Sequence, residues 1–224
     1  MRLRDRKRAS LINPSPKWCP VDAPESELLD RLRAGDQAAL GELYGHYREK
    51  LRRMVVVRLD PRLNGRIAPS DVLQEAYIDA LKRYPHYFQK PDQPFFGWLR
   101  LVVAQRIADV HREHLAAKMR DARQEVSLAA PVGGAASSVC LAACLIGRMA
   151  SPSQIAARNE WAERLEAALE ELDPLDREVL ALRHFEELSN AETAEVLGIQ
   201  SAAASKRYVR ALARLKDVLK ELEA

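Results

Sequence analysis

The chain has 224 residues, 47% hydrophobic and 30% charged, the balance of a soluble globular protein with room for one large domain or two small ones. Nine glycines and 6% aromatic residues disfavour a β-sandwich, and a formal charge of +3 is too small to argue alone for a nucleic-acid partner. Cys19, Cys140 and Cys144 cannot form a disulfide framework and lack zinc-site spacing, so neither metal nor cofactor is expected. No run of eighteen apolar residues exists, and the basic start RLRDRKR precedes no signal-peptide core, which predicts a cytoplasmic chain without membrane insertion.

Residues 1–24 carry four prolines and the cluster Arg2, Arg4, Arg6, Lys7 and Arg8 without helical period, which predicts a disordered basic arm. From Glu25 the pattern turns helical. Leu28, Leu29 and Leu32 form a short stripe, Gly35 ends it, and Asp36 caps a second helix that runs to about Leu59. Along that helix Leu40, Leu43, Tyr44, Tyr47, Leu51, Met54, Val55 and Leu59 follow the three-four rule. After a loop with Pro61, Gly65 and Pro69, Ser70 or Asp71 starts a third helix, DVLQEAYIDALKRY, which Pro85 closes.

A proline-bearing loop, HYFQKPDQP, leads to a long helix opening at Phe95, with Trp98, Leu99, Val102, Val103, Ile107, Val110 and Leu115 on its apolar face. Residues 126–152 then turn small and apolar, with two adjacent glycines and two prolines, and are read as an interdomain linker in which LAACLIGRM can form a short helix. A last bundle begins near Ser153, with Trp161, Leu165, Ala168, Leu169 and Leu172 on one face. Asp173 and Pro174 then supply N-cap and first position for the helix LDREVLALRHF. The expected fold is all-α: two small helical domains, 25–125 and 153–224, joined by a flexible linker.

The stretch LSNAETAEVLGIQSAAASKRYVRALARLK, residues 188–216, has the order of a helix-turn-helix. Ser189 and Glu192 stand at capping-box spacing, Gly198 supplies the turn between helices, and Ser201 is placed to cap the second helix. Charge is segregated around it. Residues 160–195 hold twelve acids against three arginines, whereas residues 201–220 hold six cations against Asp217 alone. A basic stripe is what phosphate neutralisation uses, and base edges are read from the N-terminal half of such a helix in the major groove. The glycine turn and cap fall in register with that stripe, which an ordinary solvated helix face would not require.

Together these pieces resemble a bacterial sigma factor of the extracytoplasmic-function group, the minimal members of the sigma-70 family, over about residues 27–123 and 160–221. LRAGDQAALGELYGHYREKL and DVLQEAYIDALK are similar to the family's sigma-2 domain, and LDREVLALRHFEELSNAETAEVLG to its sigma-4 domain. The resemblance implies a subunit that binds core RNA polymerase, through the β′ clamp helices and the β subunit, and directs promoter recognition, DNA melting and transcription initiation. Asp71, Gln74, Glu75 and Ile78 share one helical stripe and are assigned to polymerase binding.

For the minus-ten element the candidates are Phe88, Gln89, Lys90, Asp92, Gln93, Arg100, Gln105, Arg106 and Arg112, with Lys118 further along. A flipped base needs a stacking face and hydrogen-bonding edges; Phe88, Phe95, Phe96 and Trp98 offer the first, although Trp98 also shares the spacing of core residues. For the minus-thirty-five element they are Ser201, Ser205, Lys206, Arg207 and Arg210. The helix departs from the family where a Lys or Arg commonly follows a Val, since Ser205 here follows Ala204. An anti-sigma factor is a further partner that the family admits.

Two other classes fit the sequence less well. A helix-turn-helix regulator with an N-terminal sensing or dimerisation bundle would need a ligand cavity, which neither the DVLQE helix nor the aromatic loop supplies. An enzyme would need a constellation, and His46, His86, His111, His114 and His184 form none; His111 and His114 are expected on a solvated helix face.

Overall fold

Apolar stripes bounded by caps become helices through most of this chain. The structure, a computed structural model, describes residues 23–89, 93–115, 136–149 and 155–223, and among them all regular structure is helical. No helix among these residues is long and apolar enough to cross a membrane. Helix α1 (Ala23–Arg33) turns at Gly35, whose φ of +97° suits glycine, into α2 (Gln37–Arg58). Asp36 caps α2 by accepting from the Ala38 N–H at 3.0 Å, and Arg31 grips the same carboxylate at 2.7 Å, holding it below the usual carboxylate range.

Helix α2 is the spine of the molecule. Its stripe of Leu40, Leu43, Leu51, Met54 and Val55 is fully buried against α3 (Pro69–Gln89) and α4 (Phe95–Leu115). Each such leucine contributes about 1.5–3 kcal/mol. The Tyr44 hydroxyl, buried in the same seam, donates to the Leu73 carbonyl at 2.7 Å. The second core gathers α5 (Ser138–Met149), α6 (Ile155–Glu170), α7 (Pro174–Leu180) and α9 (Ser201–Glu223) around Leu141, Leu165, Leu169, Leu180 and Phe185. Helix α8 (Asn190–Leu197) packs across α9.

The two cores are not independent. Val57 of α2 belongs to the second, while Leu182 and Leu188 from the C-terminal unit belong to the first. Helix α5 also lies against α2, with the Cys140 thiol near the Arg58 and Leu59 carbonyls at 3.8 and 3.7 Å; burial pushes that thiol up to about 11.

Several boundaries differ from expectation. Helix α3 runs four residues past Pro85. The proline forfeits one backbone bond, but Tyr84 is buried before it, and Tyr87 after it packs on Phe95 and Trp98 with ring centres 5.4 and 5.3 Å apart. Ser201 is the first residue of α9 rather than its cap. The apolar stretch read as linker contains α5, packed into the second core, while residues 126–135 and 150–152 lie outside the described residues, as do 1–22 of the predicted arm. His111 is half-buried: its Nε2 accepts from the Asp60 N–H at 3.1 Å, and burial lowers its pKa, whereas His114 is exposed.

The helix expected through LDREVLALRHF changes pitch. Residues Ala181–Phe185 form a π turn, in which the Glu186 N–H donates to the Ala181 carbonyl five residues back at 3.0 Å. Glu187 follows at φ 59°, a left-handed conformation costing a non-glycine residue about 1–2 kcal/mol. This irregular corner aims Glu186 inward.

Candidate polymerase and promoter interfaces

Three groups of predicted residues occupy different faces. On α3, Val72, Leu73, Ala76 and Ala80 point into the first core, which leaves Asp71, Gln74, Glu75 and Ile78 outward. Ile78 is 45% exposed, an apolar centre within a polar rim. Such a patch matches the composition of a protein-binding surface. Glu75 is held by Arg106 of α4, so a residue predicted for polymerase and one predicted for DNA form one ion pair.

Around the second loop the structure brings together only part of the predicted set. Phe88 is half-buried beneath the Arg33 guanidinium, 5.2 Å from its ring centre, and Gln89 is exposed. The Gln93 carbonyl accepts from the Tyr87 hydroxyl at 3.2 Å. Lys90, Asp92 and Lys118 lie outside the described residues. Phe95 and Phe96 are buried, so neither offers a free stacking face here, and Trp98 packs on Phe95 and Tyr87 in the core edge. Gln105 accepts from Arg83 at 2.9 Å, and Arg112 is exposed beside Asp109.

Arg100 departs most from expectation. At 1% exposure it is not on the surface of this arrangement; its Nη1 pairs with Glu186 of the C-terminal unit. Arg58, at the end of α2, reaches the same Glu186 at 2.7 Å and Glu178 of α7 at 2.5 Å. Glu178 also accepts from the Ala136 N–H at 3.0 Å. Burial alone would raise the Glu186 pKa, but Arg100 and Arg58 outweigh it and hold the carboxylate below its ordinary value.

Sequence reasoning missed this cluster, though a signal existed. Arg58 continues the stripe of Tyr47, Leu51 and Met54, and Arg100 continues that of Phe96, Val103 and Ile107, so each arginine stands in core register.

In the C-terminal unit the helix-turn-helix forms as its caps dictate. Ser189 accepts from the Glu192 N–H at 3.1 Å while Glu192 accepts from the Ser189 N–H at 2.8 Å, a complete capping box. Gly198 turns at φ +63°. Ala204 and Ala211 are buried along α9, which leaves Ser201, Ser205 and Lys206 on its outer surface. Arg207 and Arg210 stand aside from them. Both bind Asp176 of α7, at 2.5 Å and at 2.6 and 2.9 Å, in a hollow of about 330 Å³ that Glu171 and Arg214 also line. Burial pushes the Asp176 carboxyl up, but the two arginines win and lower it.

A family model described as ECF sigma factor matches residues 24–222. The chain is 30% identical over 184 residues to the ECF RNA polymerase sigma factor SigD of Mycobacterium tuberculosis, covering 82% of this chain and 78% of that protein. It is also 30% identical over 192 residues to the ECF RNA polymerase sigma factor BldN of Streptomyces coelicolor, covering 84% of this chain and 64% of that one. Among solved structures it is similar in fold to CnrH in complex with the cytosolic domain of CnrY, at TM-score 0.50 and 23% identity over 88% of this chain and 98% of that chain.

Proposed function

Because the chain belongs to the extracytoplasmic-function sigma factors, subunits that bind core RNA polymerase and direct promoter recognition, DNA melting and transcription initiation, we propose how its faces divide that work. The outward face of α3, with Asp71, Gln74, Glu75 and Ile78, docks on the β′ clamp helices. The loop after α3 together with α4, with Phe88, Gln89, Lys90, Asp92, Gln93, Arg100, Gln105, Arg106 and Arg112, takes the minus-ten strand. The start of α9, with Ser201, Ser205, Lys206, Arg207 and Arg210, holds the minus-thirty-five duplex.

Residues 25–125 then act as the melting unit, 153–224 as the duplex-holding unit, and 126–152 as the connector between them. Two weak contacts joined through one chain gain by effective concentration, so neither unit needs high affinity alone. The work is done in the cytoplasm and involves no reaction catalysed by this chain. CnrH is solved with the cytosolic domain of CnrY, which supports a comparable anti-sigma partner here. The observation that carries this division is that α3 and the start of α9, on separate units, both turn their polar faces to solvent.

Transcription in vitro with purified core polymerase on a promoter library tests it. Defined initiation sites are expected, and Ile78→Ala should weaken core binding about fivefold to tenfold. Absence of initiation from every template, with no competition for core, would sink the reading; unchanged core affinity of Ile78→Ala would remove α3 from it.

A further inference from the structure

Helix α9 buries Ala204, Ala211 and Leu215, which leaves the opposite face for a duplex to meet. An aliphatic side chain stands in the middle of that face. Val209, 64% exposed, is the most exposed large hydrophobic residue among those described, and the exposed Ala202, Ser205, Lys206, Ala213 and Lys216 surround it. Arg207 and Arg210 lean away toward Asp176 of α7, at 2.5 and 2.6 Å. Packing inside the protein does not require valine at this position, and valine is a weaker helix former than the alanines beside it.

We propose that Val209 is a specificity-determining residue for the minus-thirty-five element, packing its isopropyl group on the 5-methyl group of a thymine in the major groove. The inference rests on the reading that the start of α9 holds that duplex. Val209 lies about 12 Å along the helix axis from Ser201 at 1.5 Å per residue, which keeps it in the N-terminal half that reaches base edges.

Thymine alone among the four bases carries an apolar group on its major-groove edge; the others present acceptors and amino donors there. Valine has neither donor nor acceptor. It therefore selects by burying that methyl group against itself, and by leaving the amino group of cytosine or adenine without a partner. The neighbours bring the complementary chemistry. The Ser205 hydroxyl, one turn earlier on the same face, can meet a polar base edge, while Lys206 and Lys216 attract the phosphates on either side and carry the apolar group into the groove.

The test uses holoenzyme assembled from core polymerase and the full chain, on a promoter duplex that wild type transcribes. Each thymine of the minus-thirty-five element, on either strand, is replaced singly by deoxyuridine, which keeps O4 and base pairing and removes only the methyl group. At one position wild-type affinity is expected to fall about fourfold, the effect of burying one methyl group. Val209→Ala should bind the thymine duplex about as weakly as wild type binds the uracil one, and should no longer distinguish the two, a non-additive pair. Its salt slope should match wild type, because no phosphate contact is removed. The substitution places a better helix former at an exposed position, so folding is not at risk. Indifference of wild type to every replacement, a thymine preference that Val209→Ala keeps in full, or an element without thymine on either strand would overturn the inference. Defined initiation in those cases leaves the sigma-factor reading standing, whereas absence of initiation from every template removes both.

Discussion

Asp176 lies under two of the cations that the sequence places on the DNA-reading helix. Its buried carboxylate forks Arg207 and Arg210, fixing their rotamers and cancelling part of their charge before any phosphate arrives. The open faces at the start of α9 are mainly small, Ser201 and Ser205, with Lys206 beside them. Asp176→Asn should therefore free two guanidinium groups. Binding of α9 to a mixed-sequence duplex is expected to strengthen, and the slope of log affinity against log salt to steepen by roughly 1.8, or 0.9 for each phosphate gained. Fluorescence anisotropy across 50–200 mM salt, the range of roughly physiological interest, measures it. A slope equal to wild type would mean that Asp176 orients the arginines without masking them.

At the level of elements, what was legible was local. The capping box of Ser189 and Glu192, the caps Asp36 and Asp173, and the turn at Gly198 are each set by residues within a few positions of one another. A Cβ at Gly198 would meet nothing within 4 Å, so Gly198→Ala isolates the backbone cost of φ +63°. Chemical denaturation should show a loss of about 1 kcal/mol, and undiminished stability would remove strain as the reason for glycine there.

The outward stripe of α3, Asp71, Gln74, Glu75 and Ile78, was legible for the same reason, since it follows from helical period alone. What was hidden depends on chain-distant partners. Nothing near Glu178 or Glu186 distinguishes them from the ten other acids of that segment, and only the fold pairs them with arginines more than 80 residues away. Likewise the π turn that aims Glu186 has no periodic signature, and Pro85 is carried inside α3 by aromatic packing from Phe95 and Trp98 across the loop. Arg58 and Arg100 carried a signal that the reading passed over, since Arg100 was assigned to DNA. A charge in core register announces a buried partner without naming it.

For the whole molecule, α2 makes the two halves one cooperative body, because its residues serve both cores and its last turn carries Arg58. Two acids cross that boundary with lowered pKa values. Burial raises both, but Arg100 and Arg58 prevail at Glu186, and Lys50 with the Ser189 backbone prevails at Glu192. A carboxyl group whose folded pKa is depressed contributes stability that is present above its unfolded value and is lost as pH falls through the folded one. The ion pairs between the halves should accordingly hold at neutral pH and weaken only below the ordinary glutamate range. Glu195, raised chiefly by burial, acts in the opposite sense, and His111, lowered by burial, already withdraws stability from the N-terminal unit as pH falls below its usual range. Neither crosses the boundary through an ion pair. Scanning calorimetry is thus expected to show one transition at pH 7 and two at a pH acid enough to protonate Glu186 and Glu192, which then no longer couple the units. Two transitions already at pH 7 would mean that α2 does not bind the halves together, and one transition at both pH values would mean that apolar contacts through Val57, Leu182 and Leu188 suffice without the ion pairs.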